Sequence, residues 1–165
     1  GIEIINRVVV EEMKGIQKPA NWKIPLKKNA FEKDKTPDTK VPWILIEDSD
    51  TRWKYEGFIS VKEQWNASGA SLSFGYQNCK AEIKFFGKAV QYYAFKSAKG
   101  GTVTVLLDGK NLGKFSLKSD ASPHGQYYIK IFEKLNLNED EHTLTLIGDA
   151  TLSEKTIDMI TIIPL

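Results

Sequence analysis

The stretch Thr102-Val103-Thr104-Val105-Leu106-Leu107-Asp108-Gly109-Lys110 decides the fold class of this chain. Val103, Val105 and Leu107 recur at every second position, which is the period of a strand with one face in a core. Asp108-Gly109 follows at once, and Asp-Gly between alternating segments is the strongest short-range signal for a two-residue β-hairpin. The stretch therefore predicts a strand, a tight turn and a partner strand, and it sets the phase of the strands around it.

The same alternation continues on both sides of this hairpin. Alternating segments cover 71–76, 80–85, 90–95, 115–117, 127–131 and 144–146, and a last strand, apolar on both faces, runs from Thr156 to Ile163. About eight or nine such strands, separated by turns, predict an all-β chain that folds as an antiparallel jelly-roll β-sandwich. No helix is predicted beyond a turn near 133–138.

The beginning of the chain has a different character. The β-branched run from Ile2 to Val10 predicts a strand, and residues 14–40 carry three prolines among several lysines, which predicts an extended surface segment. We predict a single domain, 1–165. In it, residues 1–42 supply the first strand and the Lys/Pro-rich segment, and residues 43–165 form the sandwich.

Composition excludes several classes of function. Of 165 residues, 41% are hydrophobic and 27% charged, as in ordinary globular domains. The net charge of +2, from 23 basic and 21 acidic residues, is far from the basic excess of a nucleic-acid-binding protein. No apolar run approaches the roughly 18–20 residues that span a bilayer. We therefore predict no nucleic-acid partner and no membrane insertion.

Few residues in the chain could support catalysis or zinc binding. One cysteine, Cys79, and two histidines, His124 and His142, are too few for a structural zinc site, so any metal would have oxygen ligands, as calcium does. No pair of carboxylates is marked out for glycoside hydrolysis, and no motif joins the cysteine to a histidine as a nucleophile. We predict that the chain is not an enzyme.

Several segments between Trp43 and Leu165 follow one another in a recognisable order. They are Ile46-Glu47-Asp48-Ser49-Asp50, Trp53-Lys54-Tyr55-Glu56-Gly57, the hairpin 84–90, the strand 101–109, and the closing strands 141–146 and 156–160. In this order they resemble galactose-binding-domain-like β-sandwich modules. The resemblance implies a carbohydrate-binding or accessory module of a larger, extracellular or cell-surface bacterial protein. Such modules accompany glycosidases, polysaccharide lyases and esterases, and some of them bind no ligand.

Strand direction predicts which loops of the sandwich meet. Because successive loops of an antiparallel sandwich lie at alternating ends, 87–88 and 134–141 fall at the end of the Asp108-Gly109 turn, which we call the hairpin end. The opposite end, which we call the loop end, gathers 96–100, 118–125 and 148–155, joined by 77–79 and 47–51. Its loops are longer and more polar, and recognition sites commonly lie on loops that a rigid scaffold holds.

The predicted ligand-binding residues at the loop end combine amides, carboxylates, imidazole and ammonium groups that suit sugar hydroxyls. They are Asn78, Lys96, Lys99, Asp120, His124, Gln126, Tyr127, Asp149 and Glu154. Tyr127 or Trp53 would supply an aromatic platform for the sugar ring. A sheet face with outward tyrosines from the pairs 92–93 and 127–128 is the second choice. The alternative is that these polar loops are simply solvated.

Four acidic residues are the candidates for a metal site: Glu47, Asp48, Asp50 and Asp158. Related modules often carry a structural calcium ion away from the ligand site, and these carboxylates could hold one. Asp-Ser-Asp is also an ordinary side-chain-capped turn. Asp158 stands in an otherwise apolar strand, where it is either buried with a metal or hydrogen-bond donors or exposed on the sheet surface.

Three functions remain open at this point. The first is a non-catalytic module that binds an oligo- or polysaccharide through the loop end. The second is a structural module without a sugar site that packs against a catalytic domain in the same or another chain. The third is the jelly-roll accessory domain of a two-domain esterase.

Overall fold

The computed structural model describes residues 4–5, 14–15 and 42–165 of the chain. The chain divides into two compact units, Gly1–Leu45 and Ile46–Leu165. In the first unit, strand β1 (Ile4–Ile5) pairs in parallel with β2 (Lys14–Gly15). The rest of the strand predicted from Ile2 to Val10, and the rest of the segment 11–42 up to residue 41, lie outside the described residues.

Residues 44–163 contain ten strands. They are β3 (Ile44–Glu47), β4 (Lys54–Lys62), β5 (Ser71–Gly87), β6 (Ala89–Lys96), β7 (Thr102–Leu107), β8 (Lys110–Ser116), β9 (Gln126–Lys134), β10 (Asp140–Gly148), β11 (Lys155–Ile157) and β12 (Met159–Ile163). A 3-10 turn at Ser68–Ala70 precedes β5. In the described part of the chain, no helix has the length and apolar character that crossing a membrane requires.

The strands form two antiparallel sheets. The six-stranded sheet has the order β11-β5-β10-β7-β8, with β4 also paired to β5, and the four-stranded sheet has the order β3-β12-β6-β9. Alternate residues of both sheets, such as Ile83, Val105 and Ile160, are buried between them in one apolar core. The predicted fold class, an all-β antiparallel sandwich of jelly-roll type, is confirmed.

The hairpin that decides the fold is formed as predicted. β7 pairs with β8, and the two turn residues Asp108 and Gly109 have φ angles of 53° and 81°. Positive φ at both central residues defines the type I′ turn, whose twist matches that of the flanking strands.

Two strands differ from the prediction. β5 is a single 17-residue strand in which Tyr76, Gln77 and Asn78 bulge out, because Gly75 and Cys79 lie next to each other. A Cβ on Gly75 would meet the Cys79 sulfur at 2.6 Å. The predicted last strand is two strands in different sheets, and the chain passes from one sheet to the other at Asp158.

At the hairpin end, a buried histidine ties the β7–β8 turn to the chain before β10. The Nδ1 atom of His142 lies 2.7 Å from an Asp108 carboxylate oxygen, and its Nε2 lies 2.7 Å from the Asn138 carbonyl oxygen. Both partners are acceptors, so the charged imidazolium satisfies both contacts. Burial opposes this charge, but the hydrogen bonds to Asn138 and Asp108 outweigh it and raise the pKa of His142.

We expect His142→Leu to lower the free energy of unfolding by about 2 kcal/mol at pH 6, because hydrogen bonds to a charged group are lost. A raised pKa in the folded state contributes stability that is complete below the ordinary histidine pKa and disappears as pH rises through the folded value. The cost of the substitution should therefore be smaller at pH 9, as measured by urea unfolding at both pH values. His124→Leu, which removes an exposed imidazole, is the matched control. An equal cost of His142→Leu at both pH values would contradict the imidazolium assignment.

Candidate functional site

The three loops predicted to meet at the loop end do meet. The Ser97 amide donates to the Leu117 carbonyl oxygen at 3.2 Å, and the Ser119 amide donates to the Ser97 carbonyl oxygen at 2.9 Å. On the other side of the same loop, the Glu154 amide donates to the Lys99 carbonyl oxygen at 2.8 Å. The loops are thus joined backbone to backbone into one surface.

The bulge of β5 belongs to this surface as well. The Asn78 amide donates to the Asp149 carbonyl oxygen at 2.9 Å, and Asn78 itself has a positive φ of 53°. The Cys79 sulfur packs so closely that a Cβ on Gly148 would lie 2.5 Å from it. Burial raises the pKa of the Cys79 thiol, so this cysteine is an unreactive packing group that holds the bulge.

A fully buried lysine anchors the loop 148–155. Lys155 is 0% exposed, and its Nζ lies 2.8 Å from an Asp149 carboxylate oxygen and donates to the Thr151 carbonyl oxygen at 2.8 Å. A buried ammonium group needs such a set of partners, because desolvation of a charge costs several kcal/mol. The sequence pattern does not distinguish this lysine from the solvent-exposed ones.

Asp149 takes several donors besides the lysine. The Thr151 amide donates to it at 2.9 Å and the Thr102 amide at 3.2 Å. Burial raises the pKa of Asp149, but the hydrogen bonds from Lys155 and Thr151 outweigh this effect, and the pKa is held far below the usual aspartate range. Asp149 is therefore ionised, and its carboxylate holds the loop 148–155 in place.

Three of the predicted ligand-binding residues form hydrogen bonds or ion pairs with other residues of the loop end. Asp149 binds Lys155, Glu154 accepts from the Ser97 hydroxyl at 3.2 Å, and Gln126 accepts from the Ser119 hydroxyl at 2.8 Å. Asn78, Lys99, Asp120 and His124 are exposed, whereas Lys96 and Tyr127 are partly buried. That these residues contact a ligand stays a prediction.

Two predicted aromatic platforms are buried instead. Trp53 is 6% exposed, stacks on Tyr55 with ring centroids 5.5 Å apart, and donates through Nε1 to the Glu47 carbonyl oxygen. The pair 92–93 is predicted to place one ring outward, but Tyr92 is 0% and Tyr93 6% exposed, and the Tyr93 hydroxyl donates to the Gln91 side chain. None of these rings is accessible to a sugar.

The four acids predicted as metal ligands separate into three places. Asp48 is buried and accepts from the Ser71 and Ser73 hydroxyls at 2.6 and 2.8 Å, and burial raises its pKa. Asp50 is bound at both oxygens by Arg52. Within the described residues, no three potential ligands group as a metal site.

The other two acids, Glu47 and Asp158, approach each other at Ser68. The Ser68 hydroxyl donates to the Glu47 carboxylate at 2.7 Å, and the Ser68 amide donates to the Asp158 carboxylate at 3.0 Å. Asp158 is buried, as one of the two interpretations of the sequence expected. Calcium binding by the four acids stays a prediction.

Tyr127, one of the two aromatic platforms that the sequence predicts, packs against Phe95 beside these loops. The Phe95 and Tyr127 rings pack with centroids 4.7 Å apart, and the Tyr127 hydroxyl lies 3.5 Å from the Gln64 side-chain oxygen. Gly125 approaches the Phe95 ring so closely that a Cβ would lie 2.2 Å from it. The next residue after Gln64 is Trp65, which is 77% exposed.

The loop that carries Trp65 is held in place at both ends. The Gln64 amide donates to the Ala70 carbonyl oxygen at 3.0 Å, and the Ala67 amide donates to the Gln64 carbonyl oxygen at 2.8 Å. Ser68 attaches the middle of the loop to Glu47 and Asp158. An exposed indole on a fixed loop is unusual, because a tryptophan ring normally buries most of its surface. A tryptophan within the polar run 63–68 is the one sequence signal that could have drawn attention to it.

Comparison with family models gives no match, and comparison with curated proteins gives none either. Solved structures do share the fold. A family 35 carbohydrate-binding module from Clostridium thermocellum superposes with a TM-score of 0.56 at 8% identity, over 75% of this chain and 99% of the module. A CBM35 from Cellvibrio japonicus Abf62 gives 0.55 at 10% identity, over 74% and 95%.

The same fold occurs as part of a longer enzyme. A Paenibacillus cycloisomaltooligosaccharide glucanotransferase superposes with a TM-score of 0.59 at 11% identity, over 74% of this chain but only 18% of the enzyme's length. At these identities the likeness shows the fold alone. It confirms the fold that the resemblance implies: this chain has the β-sandwich fold that those carbohydrate-binding modules share.

Proposed function

We propose that this chain is a non-catalytic carbohydrate-binding module that recognises an oligo- or polysaccharide at the loop end, through Trp65, Tyr127 and the side-chain amide of Gln64. In this proposal, the predicted residues Asn78, Lys96, Lys99, Asp120 and His124 line the margin of the site. Asp149, Glu154 and Gln126 hold the loops that support it. The module would belong to a larger extracellular or cell-surface bacterial protein.

The observation that carries this proposal is the 77% exposure of Trp65 on a loop with fixed ends, next in sequence to Gln64, whose side-chain oxygen lies 3.5 Å from the hydroxyl of the partly buried Tyr127. A flat aromatic ring can pack on the C–H face of a sugar ring, and neighbouring amides can bind its hydroxyls. Burying such an exposed ring would recover a large apolar contribution to binding. The fold shared with carbohydrate-binding modules supports the same conclusion.

We expect Trp65→Ala to weaken binding of the retained polysaccharide at least about 30-fold, which corresponds to roughly 2 kcal/mol, the loss typical of a central aromatic contact. Affinity electrophoresis against xylan, mannan, β-glucan and α-glucan would identify the polysaccharide, and calorimetry would measure the affinity. Trp65 is exposed, so the melting temperature should stay within a few degrees.

The matched control is Phe86→Ala. Phe86 is another exposed aromatic residue, 58% accessible, and it lies near the other end of the sandwich beside the β5–β6 turn. Its replacement should leave binding unchanged. If the wild-type chain is retained by no polysaccharide, or if Trp65→Ala binds as tightly as wild type, the proposed function is wrong and a structural role beside a catalytic domain becomes the better hypothesis.

A further inference from the structure

The four-stranded sheet carries a polar patch on the face that turns away from the core. Along β6, Val90 and Tyr92 belong to the core, so Gln91 between them projects from the opposite face. Gln91 lies directly opposite Thr161 on β12 and directly opposite Glu133 on β9. Residues that are directly opposite in an antiparallel ladder project from the same face of the sheet. Thr161, Gln91 and Glu133 therefore form one line across three paired strands of a single sheet.

The side-chain amide of Gln91 has partners at its oxygen but not at its nitrogen. Oε1 accepts from the Thr161 hydroxyl at 2.7 Å and from the Tyr93 hydroxyl at 3.1 Å. Gln91 is 0% exposed, and within the described part of the chain its Nε2 has no hydrogen-bond partner. Two N–H groups are therefore buried without an acceptor, which is costly unless another group accepts from them.

The carboxylate of Glu133 has a partner at only one of its oxygens. Oε1 forms an ion pair with Lys130 at 2.6 Å. Oε2 is buried and, among the described residues, accepts from no donor. Nε2 of Gln91 and Oε2 of Glu133 are thus not bonded to each other, although the two side chains start from Cβ atoms about 5 Å apart, as in any directly opposite pair. One small group can therefore reach both atoms.

The chemistry of these two atoms restricts the group that can bind between them. The Gln91 nitrogen only donates hydrogen bonds, and the Glu133 carboxylate oxygen only accepts them. A cation would satisfy the carboxylate but not the amide N–H groups, and Lys130 already supplies a cation. An anion would accept from the amide but would be repelled by the carboxylate. A hydroxyl group accepts and donates at once, and it is the smallest neutral group that does so.

We propose that Gln91 and Glu133 bind one hydroxyl group between them, which accepts from the Gln91 amide and donates to the Glu133 carboxylate. A water molecule and an alcohol group of a polyol share this chemistry. β9 is the last strand in the order of its sheet, and the side chains of Lys130 and Glu133 are 26% and 20% exposed, so solvent reaches this side of the patch. The position shares no residue with the Trp65 site and does not depend on the proposed function.

The test is a crystal structure of the full chain, grown without polyols, at a resolution of about 1.5 Å, which defines ordered waters. We expect one oxygen at hydrogen-bond distance from both Gln91 Nε2 and Glu133 Oε2. A second crystal, soaked in glycerol, separates the two sources of the hydroxyl group. An unchanged single oxygen identifies water, and glycerol with a hydroxyl group at the same place shows that a polyol takes the position.

Two variants make the assignment specific. Gln91→Met removes the amide and keeps the side-chain length, and it should lose the oxygen. Thr161→Val removes a hydroxyl that is bound to the other half of the same amide, and it should retain the oxygen. An oxygen that persists in Gln91→Met would overturn the proposal. The wild-type crystal decides the matter even if that variant does not fold: direct contact between Gln91 and Glu133, or an amide turned so that Nε2 donates to the Thr161 and Tyr93 hydroxyls, would overturn it as well.

Discussion

Asp149→Ala is expected to lower the free energy of unfolding by about 3 kcal/mol, because it leaves the fully buried Lys155 ammonium without its carboxylate. Removing one partner of a buried ion pair costs more than the pair contributes, since the remaining charge stays desolvated. Urea unfolding at pH 7, followed by tryptophan fluorescence, would measure the loss. The expected value lies at the low end of the usual range because Asp149 is 33% exposed and the site is near the surface.

Two further variants make this prediction specific. Glu154→Ala removes a neighbouring carboxylate of the same loop, which accepts a hydroxyl hydrogen bond from Ser97 at 3.2 Å, and should cost no more than about 1 kcal/mol. Replacing both partners, Asp149→Ala with Lys155→Met, should recover much of the lost stability because no charge remains buried. A double variant as unstable as Asp149→Ala would show that packing, and not the unpaired charge, causes the loss.

Among substitutions that add a single methyl group at the loop end, Gly100→Ala is expected to be the most destabilising. It should lower the free energy of unfolding by at least about 3 kcal/mol. The new Cβ would lie 1.9 Å from the Leu117 carbonyl oxygen and 2.3 Å from the Leu117 carbonyl carbon, both backbone atoms. A flexible side chain could move aside, but here the loops 96–100 and 117–119 would have to separate. Urea unfolding would measure the change in stability.

Gly109→Ala is the matched control for this prediction. Gly109 has a φ of 81° in the hairpin turn, and a Cβ there would meet no atom within 4 Å. Its replacement should therefore cost only the strain of a left-handed backbone, about 1–2 kcal/mol. If Gly100→Ala is no more destabilising than Gly109→Ala, the close approach of the two loops is not as the structure describes it.

The sequence predicted the parts of the fold that depend on local rules. Asp108-Gly109 specifies a turn because its backbone preference matches the twist of a hairpin, and alternation assigns each strand a core face. The direction of successive strands was then enough to predict that the loops 96–100, 118–125 and 148–155 meet. Each of these conclusions needs only the residues themselves and their neighbours along the chain.

The parts that could not be predicted depend on contacts between distant residues. Lys155 follows Glu154 and looks like one more surface charge, and only the closure of its loop over Asp149 and Thr151 makes it an interior ion pair. Trp65 and Trp53 are indistinguishable by type, yet one is exposed and the other stacks on Tyr55. No local sequence pattern marks the bulge before Cys79, because the bulge depends on the close packing of the Cys79 sulfur against both Gly75 and the distant Gly148.

The passage of the chain through Asp158 has a mechanical consequence. β11 belongs to the six-stranded sheet and β12 to the four-stranded sheet, and a single residue separates them. An almost unbroken strand therefore connects the two sheets. Neither sheet can slide along the other or separate from it without first breaking hydrogen-bonded strand pairs in both. The loop end, to which strands of both layers contribute, thus keeps its two halves in fixed register through the backbone itself.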